Sequence, residues 1–414
     1  MGINSANITK CRVCNSSNLR NVFDLGSQAL TGVFIKNGSE VPSYNVSLSS
    51  CQSCGLTQIN EVYDLDLLYG EGYGYESSLN SSMSEHLFNK SKKNSSLLGL
   101  NKNDIVIDIG SNDATTLSYF QDFNLKIGVD ITAKKFRENY RKINAKVVED
   151  FFPSSDLNDI LKNRKAKLIS SYSCFYDLPD PVAFAKAIKE ILAEDGLWCL
   201  EQSYLPTMLK SNSLDTVCHE HIEYYKLTDI LNICNRVNLE IKQVEFNDIN
   251  GGSFSVLVGH KNKIHKVSKE VQKVINGEKK VNWIEEFQLF NDRINEQSKK
   301  TINLLKDLKK NGKKVYGIGA STKGNVLLQN YKIDSNLIEF IGEVNRNKFG
   351  CSTPGSNIKI VNEDELLKLN PDYLFILPWH FKKFFVNNKK FKGFSLIFPL
   401  PKLEILEISL LSNT

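Results

Sequence analysis

Chemistry is concentrated at three places in this sequence: two cysteine pairs, one acidic strand end and one octet rich in histidine and glutamate. Cys11-Arg-Val-Cys14 and Cys51-Gln-Ser-Cys54 are Cys-x2-Cys knuckles separated by 36 residues. Each knuckle presents two thiolates, and two knuckles complete the four-sulfur tetrahedral shell that structural Zn2+ favours. A closed shell leaves no coordination position for a substrate, so the metal is expected to be structural rather than catalytic. The competing reading, four unrelated buried cysteines, requires the same spacing to arise twice by chance. Cys174, Cys199, Cys218, Cys234 and Cys351 lack that spacing and are expected to be buried or isolated thiols.

The stretch from Val106 to Asp113 ends an apolar run in Asp108-Ile109-Gly110-Ser111-Asn112-Asp113. An acid and a glycine at the carboxyl end of the first strand of an α/β unit lie where such sheets bind ligands. Gly110 lets the backbone approach a ligand, and Asp108 can accept from an amino or amide donor. Asn112 and Asp113 line the same turn. Asp130 closes the next strand 22 residues after Asp108, a spacing suited to gripping two ribose hydroxyls. The Gly-x-Gly-x-x-Gly of dinucleotide sites is absent, and a turn with two carboxylates and one glycine repels pyrophosphate but tolerates a sulfonium cation. On that ground S-adenosyl-L-methionine is favoured over NAD as cofactor. An ordinary turn with a capping aspartate is the alternative.

Cys218-His219-Glu220-His221-Ile222-Glu223-Tyr224-Tyr225 sets two imidazoles beside two carboxylates and two phenols. Histidine exchanges protons near neutral pH, and an adjacent carboxylate can fix its tautomer or strengthen it. An acid-base site is the sharper reading. On a strand, His219 and His221 would point the same way as a metal pair, although no third ligand is evident, and a surface or interface cluster is the third reading. The stretch from Leu68 to Ser78, with Tyr73 and Tyr75, is read either as a lid over a cofactor or as a packed loop. Gly317 to Asn325 follows a strand and opens a helix; its amides and Lys323 could hold a phosphate, or it is a plain strand-to-helix turn.

Short apolar runs (DIVIDIG, KIGVDIT, AKLISSY, GLWCLEQ) alternate with helical stretches from Asp104 onward, which predicts a doubly wound parallel sheet. Ile284, Phe287, Phe290 and Ile294 recur on one helix face in the polar segment before KKVYGIGASTKGN, where a second α/β pattern begins. The expected organisation is a zinc-binding module over 1–70, an α/β, Rossmann-like class I methyltransferase domain over 71–260, a helical connector over 261–310 and a C-terminal α/β domain over 311–414. With 41% hydrophobic and 24% charged residues, the chain reads as globular. Its longest apolar runs fall short of the roughly 20 residues a bilayer requires, so no membrane partner is expected. A net charge of +5 spread along lysine-rich stretches reads as solvated surface, not a nucleic-acid footprint. The first residues show no basic, apolar secretion signal, so the cytoplasm is the expected location, as a monomer or homodimer.

In their order these motifs resemble the sugar C-methyltransferases that build branched deoxysugars. The paired Cys-x2-Cys, a GYGYxSSLN-like stretch, DIGSND, the His-Glu-His segment, NGGSF at Asn250 to Phe254, GASTKGN and NKFGxxTPG at Asn347 to Gly355 look like that family's pattern and span nearly the whole chain. The resemblance implies a nucleotide-sugar substrate bound between the last two domains. It also implies removal of a proton beside a 4-keto group and attack of the resulting carbanion on the sulfonium methyl. His221 is then the expected base, oriented by Glu220 with His219 nearby, and Tyr224, Tyr225, Asn250, Lys323 and Asn325 are expected to contact substrate. Where better-known members carry a tyrosine before His-Glu-His this chain has Cys218, and their histidine in a His-Ile-Pro-Asp-like stretch is matched by Asp177; both are counted in the catalytic set. An O- or N-methyltransferase on a related sugar is the alternative.

Overall fold

Ile105–Ile109, β-branched at every position but Asp108, is buried along its whole length, as a strand covered by helices on both faces must be. In the computed structural model, which describes residues 6–36, 41–63, 75–79 and 81–408, it is the first of seven strands in a central sheet. In chain order the others are Leu125–Val129, Lys146–Val148, Ala166–Tyr172, Leu192–Ser203, Leu239–Asn247 and Ser253–His260, and across the sheet they lie 3-2-1-4-5-7-6. The first five are parallel, and the seventh runs antiparallel to both neighbours. The order reverses between strands one and four, so their carboxyl ends open into the crevice where such sheets take ligands. Tyr73 lies outside the described residues.

The cysteine-bearing module is an antiparallel sheet of Leu19–Ala29, Ser43–Cys51 and Thr57–Ile59, and its fourth strand, Glu223–Tyr224, is contributed by the central domain. Four cysteines, many turn formers and no sustained helical period over the first 60 or so residues point to a module held by metal in place of a core. In fact Phe23, Leu25, Val46, Leu48 and Ile59 are buried in one apolar cluster with Val315, Ile318, Ile341 and Leu374 of the C-terminal domain. The module is too small to bury these side chains alone, so it shares a core and also lends Ile35–Lys36 to the edge of the C-terminal sheet.

That C-terminal sheet sets Val315–Ile318 between Phe340–Glu343 and Tyr373–Ile376, all parallel, which makes a second point where strand order reverses. Helices Lys269–Glu278 and Trp283–Lys310 join the two sheets. The longer one buries Phe287, Phe290 and Ile294, the face expected from their spacing, with Phe290 packed 5.0 Å from Phe23. Among the described residues no helix is long and apolar enough to cross a membrane.

Candidate active site

At the carboxyl ends of strands one, two and four lies a cavity of about 360 Å³ lined by Asp108, Gly110, Asn112, Asp130, Phe151, Cys174 and Asp177 among others. Asp108 is only 2% exposed and accepts from Ser170 Oγ at 2.5 Å, because the parallel register sets those residues side by side. Burial, reinforced by the charges of Asp130 and Asp113, pushes the Asp108 carboxyl up to about 7. Gly110 has φ 72°, and a Cβ there would lie 2.8 Å from Cys174 Cβ, so glycine is required for both dihedral and space. Asp130 holds the turn from the far side, accepting from Asn112 N at 2.8 Å and from Thr132 N and Oγ1 at 2.6 Å each.

Asn112 lines the cavity while Asp113 does not, and both carry a further task. The Asn112 side chain accepts from Ser77 N at 3.0 Å and donates to the Tyr75 carbonyl at 3.1 Å, while Asp113 Oδ2 accepts from Ser78 N at 2.8 Å. Both side chains fasten the described end of the tyrosine-rich stretch over the cavity. Asp113 is not among the lining residues, since its other oxygen is turned to Thr115.

The four cysteines of the two knuckles converge, with all four Sγ atoms within 4.8 Å of one another. Cys11–Cys54 and Cys14–Cys51 sulfur separations are 3.5 Å, close to the ~3.8 Å edge of a tetrahedron with Zn–S of about 2.3 Å. A donor set of four thiols at that spacing fits structural zinc and leaves no open ligand position.

A second cavity, about 290 Å³, adjoins the first: Tyr75, Met83, Ser173 and Asp177 line both. All three domains build it, with Gly32 and Phe34 from the module, Tyr176, Cys218, Glu220, His221 and Asn250 from the central domain, and Lys323, Lys348 and His380 from the C-terminal domain. The Nδ1 of His221 lies 2.8 Å from the Thr216 carbonyl, which makes it the donor and leaves Nε2 unprotonated. Burial and the nearby Lys323 charge pull His221 down to about 4, so the ring is neutral at pH 7. Lys323 Nζ donates to the Asn250 carbonyl at 2.7 Å and to Thr216 Oγ1 at 3.2 Å, bridging the two α/β domains.

The remaining expected residues divide between the cavity wall and the core. Residues 218–222 are not a strand, so the two histidines do not share a face. His219 is fully buried with its ring 4.9 Å from Tyr63, away from the cavity. The Glu220 carboxylate accepts from Thr31 Oγ1 at 3.5 Å, and the Thr216 carbonyl takes the place at His221 expected for it. Burial raises the carboxyl of Glu220 and, with the Glu220 charge, the thiol of Cys218. Tyr225 stacks on Phe175 at 5.4 Å and Tyr224 is buried in the separate core shared with the module; neither lines the larger cavities. Asn325 ties its helix to the module by donating to the Thr31 carbonyl at 2.7 Å.

Sequence reasoning missed His380 and Lys348. His380 follows strand Tyr373–Ile376 at the second order reversal, the one signal that could have found it. Trp379 Nε1 donates to Asp215 at 2.8 Å and thereby holds that loop on the central domain. Burial and the Lys323 charge lower His380 to about 3, and its Nδ1 is buried without a hydrogen-bond partner among the described residues. Lys348 Nζ lies 4.4 Å from the Phe34 ring and donates to the Ala320 carbonyl at 2.8 Å.

The strand order 3-2-1-4-5-7-6 and the acid-ended crevice beside strand one define a class I S-adenosylmethionine-dependent methyltransferase. Three domain families match in succession: one described as "Putative zinc binding domain" over residues 11–69, "Methyltransferase domain" over 83–244 and "C-methyltransferase C-terminal domain" over 248–401. Together the three matches span most of the chain and support an S-adenosylmethionine-dependent C-methyltransferase. It is 27% identical to the C-methyltransferase NovU of Streptomyces niveus over 412 residues, 96% of this chain and 97% of that one. Among solved structures it is similar to an S-adenosylmethionine-dependent methyltransferase from Clostridium acetobutylicum ATCC 824, at 13% identity over 43% of this chain and 92% of that one with a TM-score of 0.36. A ribosomal protein L11 methylase from Lactobacillus delbrueckii subsp. bulgaricus matches at 13% identity over 44% and 81%, with a TM-score of 0.30.

Proposed function

We propose that this C-methyltransferase acts on a nucleoside-diphosphate keto-sugar, removing a proton beside the ketone and joining the enolate carbon to the methyl group. The observation that carries the reading is the pair of adjoining cavities, the second holding neutral His221 beside the Lys323 cation. S-Adenosyl-L-methionine bound at Asp108, Gly110 and Asp130 supplies an electrophilic methyl on a sulfonium sulfur. His221 Nε2 accepts the carbon-bound proton, and the Thr216 carbonyl holds the ring in the tautomer this requires. Lys323 faces the developing enolate oxygen. Negative charge there offsets the lysine charge that depresses the imidazole, so the base strengthens as the proton leaves. The enolate pair would form the new C–C bond as the bond from methyl to sulfur breaks, its electrons remaining on the sulfur, and the proton would stay on His221. Lys348 and the amides opening helix Thr322–Asn330 are suited to the diphosphate.

Incubation with a nucleoside-diphosphate 4-keto-sugar and S-adenosylhomocysteine in D2O tests this by mass spectrometry. Exchange at the carbon beside the ketone, without methylation, is the expected result. A methylated product from S-adenosyl-L-methionine with no such exchange would put O- or N-methylation in its place.

The pH dependence of cofactor binding provides a separate check. An Asp108 carboxyl near 7 binds a cationic ligand best once ionised, so affinity for S-adenosylhomocysteine, through its ammonium group, is expected to fall up to about tenfold per pH unit below that value. Calorimetry near pH 7 in buffers of differing ionisation heat should register proton release on binding. Asp108→Asn should abolish the release, and proton release that persists in that variant rejects the assignment.

A further inference from the structure

The described part of the zinc-binding module supplies no lining residue to the cofactor cavity, yet it supplies Gly32 and Phe34 to the acceptor cavity. The path from the knuckle to His221 is also short, running a few residues along the chain and across one hydrogen-bonded ladder. The knuckle Cys51 to Cys54 is closed by Gly55 N donating to the Cys51 carbonyl at 2.8 Å and leads directly into Thr57–Ile59. That strand pairs Gln58 with Glu223 and Thr57 with Tyr224. The contact is extended by Ile59 N donating to the Ile222 carbonyl at 2.9 Å, and His221 is the next residue. Lys226 Nζ reaches the Gly55 carbonyl at 2.7 Å and Asn232 Nδ2 the Cys54 carbonyl at 3.2 Å, so the knuckle is tied to the chain beyond the ladder as well. At the opposite end Thr31 holds Glu220, and a Cβ at Gly32 would lie 2.6 Å from Glu220 Oε1.

A two-residue strand such as Glu223–Tyr224 has little stability alone. Its flanks are held in the central domain by Ile222 N donating to the Tyr176 carbonyl and Leu205 N to the Tyr225 carbonyl, and its open edge is held by the strand that continues from the knuckle.

We propose that the zinc-binding module is a working part of the acceptor site: metal binding holds the His221 segment in register and the module's Gly32 and Phe34 wall the cavity, while the cofactor site stands independently of both. The choice of acceptor rests on the keto-sugar reading above, but the coupling of zinc to His221 does not.

The full zinc-loaded chain is compared with the same chain after chelation, with metal content measured. Two readouts need no acceptor: the affinity for S-adenosylhomocysteine, and the ring NMR signals of the six histidines, with His221 assigned by its loss in His221→Ala. On zinc removal the affinity is expected to hold within about threefold, while the His221 signal moves and its titration midpoint rises from about 4 toward the ordinary ~6.5. Loss of cofactor binding together with the metal, or an unmoved His221 signal, overturns the proposal.

Gly32→Ala keeps all four cysteines and should retain zinc and cofactor affinity while slowing deuterium exchange into the keto-sugar by about 10²-fold; unchanged exchange also overturns it. If the zinc-loaded wild type exchanges no deuterium, the keto-sugar reading fails and the His221 signal alone decides the coupling.

Discussion

Replacement of His221 by alanine is expected to slow methyl transfer by about 10²–10⁴-fold, the contribution of a positioned general base, with affinity for S-adenosylhomocysteine unchanged. The separation is expected because His221 lines the acceptor cavity but not the cofactor cavity. The loss should fall on kcat and kcat/KM alike, since the proton is taken only on the way to the transition state. With cofactor saturating, wild-type enzyme should keep its kcat from pH 8 to 6, because the ring, lowered to about 4, remains neutral there. The stability sign also follows. The unfolded chain, with an ordinary histidine near 6.5, binds a proton between pH 6.5 and 4 that the folded chain refuses, so the contribution of this group is present above pH 6.5 and lost as pH falls toward 4. His221→Ala should accordingly lose less thermal stability than wild type between pH 7 and 5. Unimpaired transfer by the variant would remove His221 from the base's role.

Substitution of Gly110 by alanine is expected to cost about 2 kcal/mol or more in stability and to weaken S-adenosylhomocysteine binding at least about tenfold. A left-handed backbone costs a residue with a Cβ roughly 1–2 kcal/mol. The added carbon also meets Cys174 Cβ at 2.8 Å and Sγ at 2.9 Å, which requires the first and fourth strand ends to part where the cofactor cavity lies. Cys174→Gly in the same chain should recover the steric share but not the dihedral share, giving a coupling of about 1 kcal/mol or more in a double-mutant cycle. Full binding by Gly110→Ala would show that this strand end does not receive the cofactor.

The parts of this molecule legible in advance were those governed by local periodicity. Ile105–Ile109 is apolar and β-branched because both its faces are covered, so its pattern announces a parallel strand without reference to anything distant. Phe287, Phe290 and Ile294 reveal their helix face in the same way. The octet from Cys218 to Tyr225 was legible as a concentration of reactive side chains but not as a geometry. Alternation on a strand would have aligned His219 with His221, whereas the strand begins only at Glu223. The preceding residues are shaped by contacts with Thr31, Tyr63 and Thr216, two of them in a different domain.

Sequence by itself determined the donor set for zinc, the acid and glycine at the end of the first strand and the succession of three domains, because each depends on residue type and short-range spacing. Tertiary structure alone decided which ring of the His-Glu-His segment lines the second cavity, that Glu220 turns to the module, and that Asn112 and Asp113 fasten Tyr75–Ser78. It likewise brought His380 and Lys348 into a cavity with a histidine more than a hundred residues away. The physical reason is that these contacts arise where strand order reverses in two sheets and where a small module must share its core with a neighbour. Neither condition leaves a periodic trace in the residues that meet there.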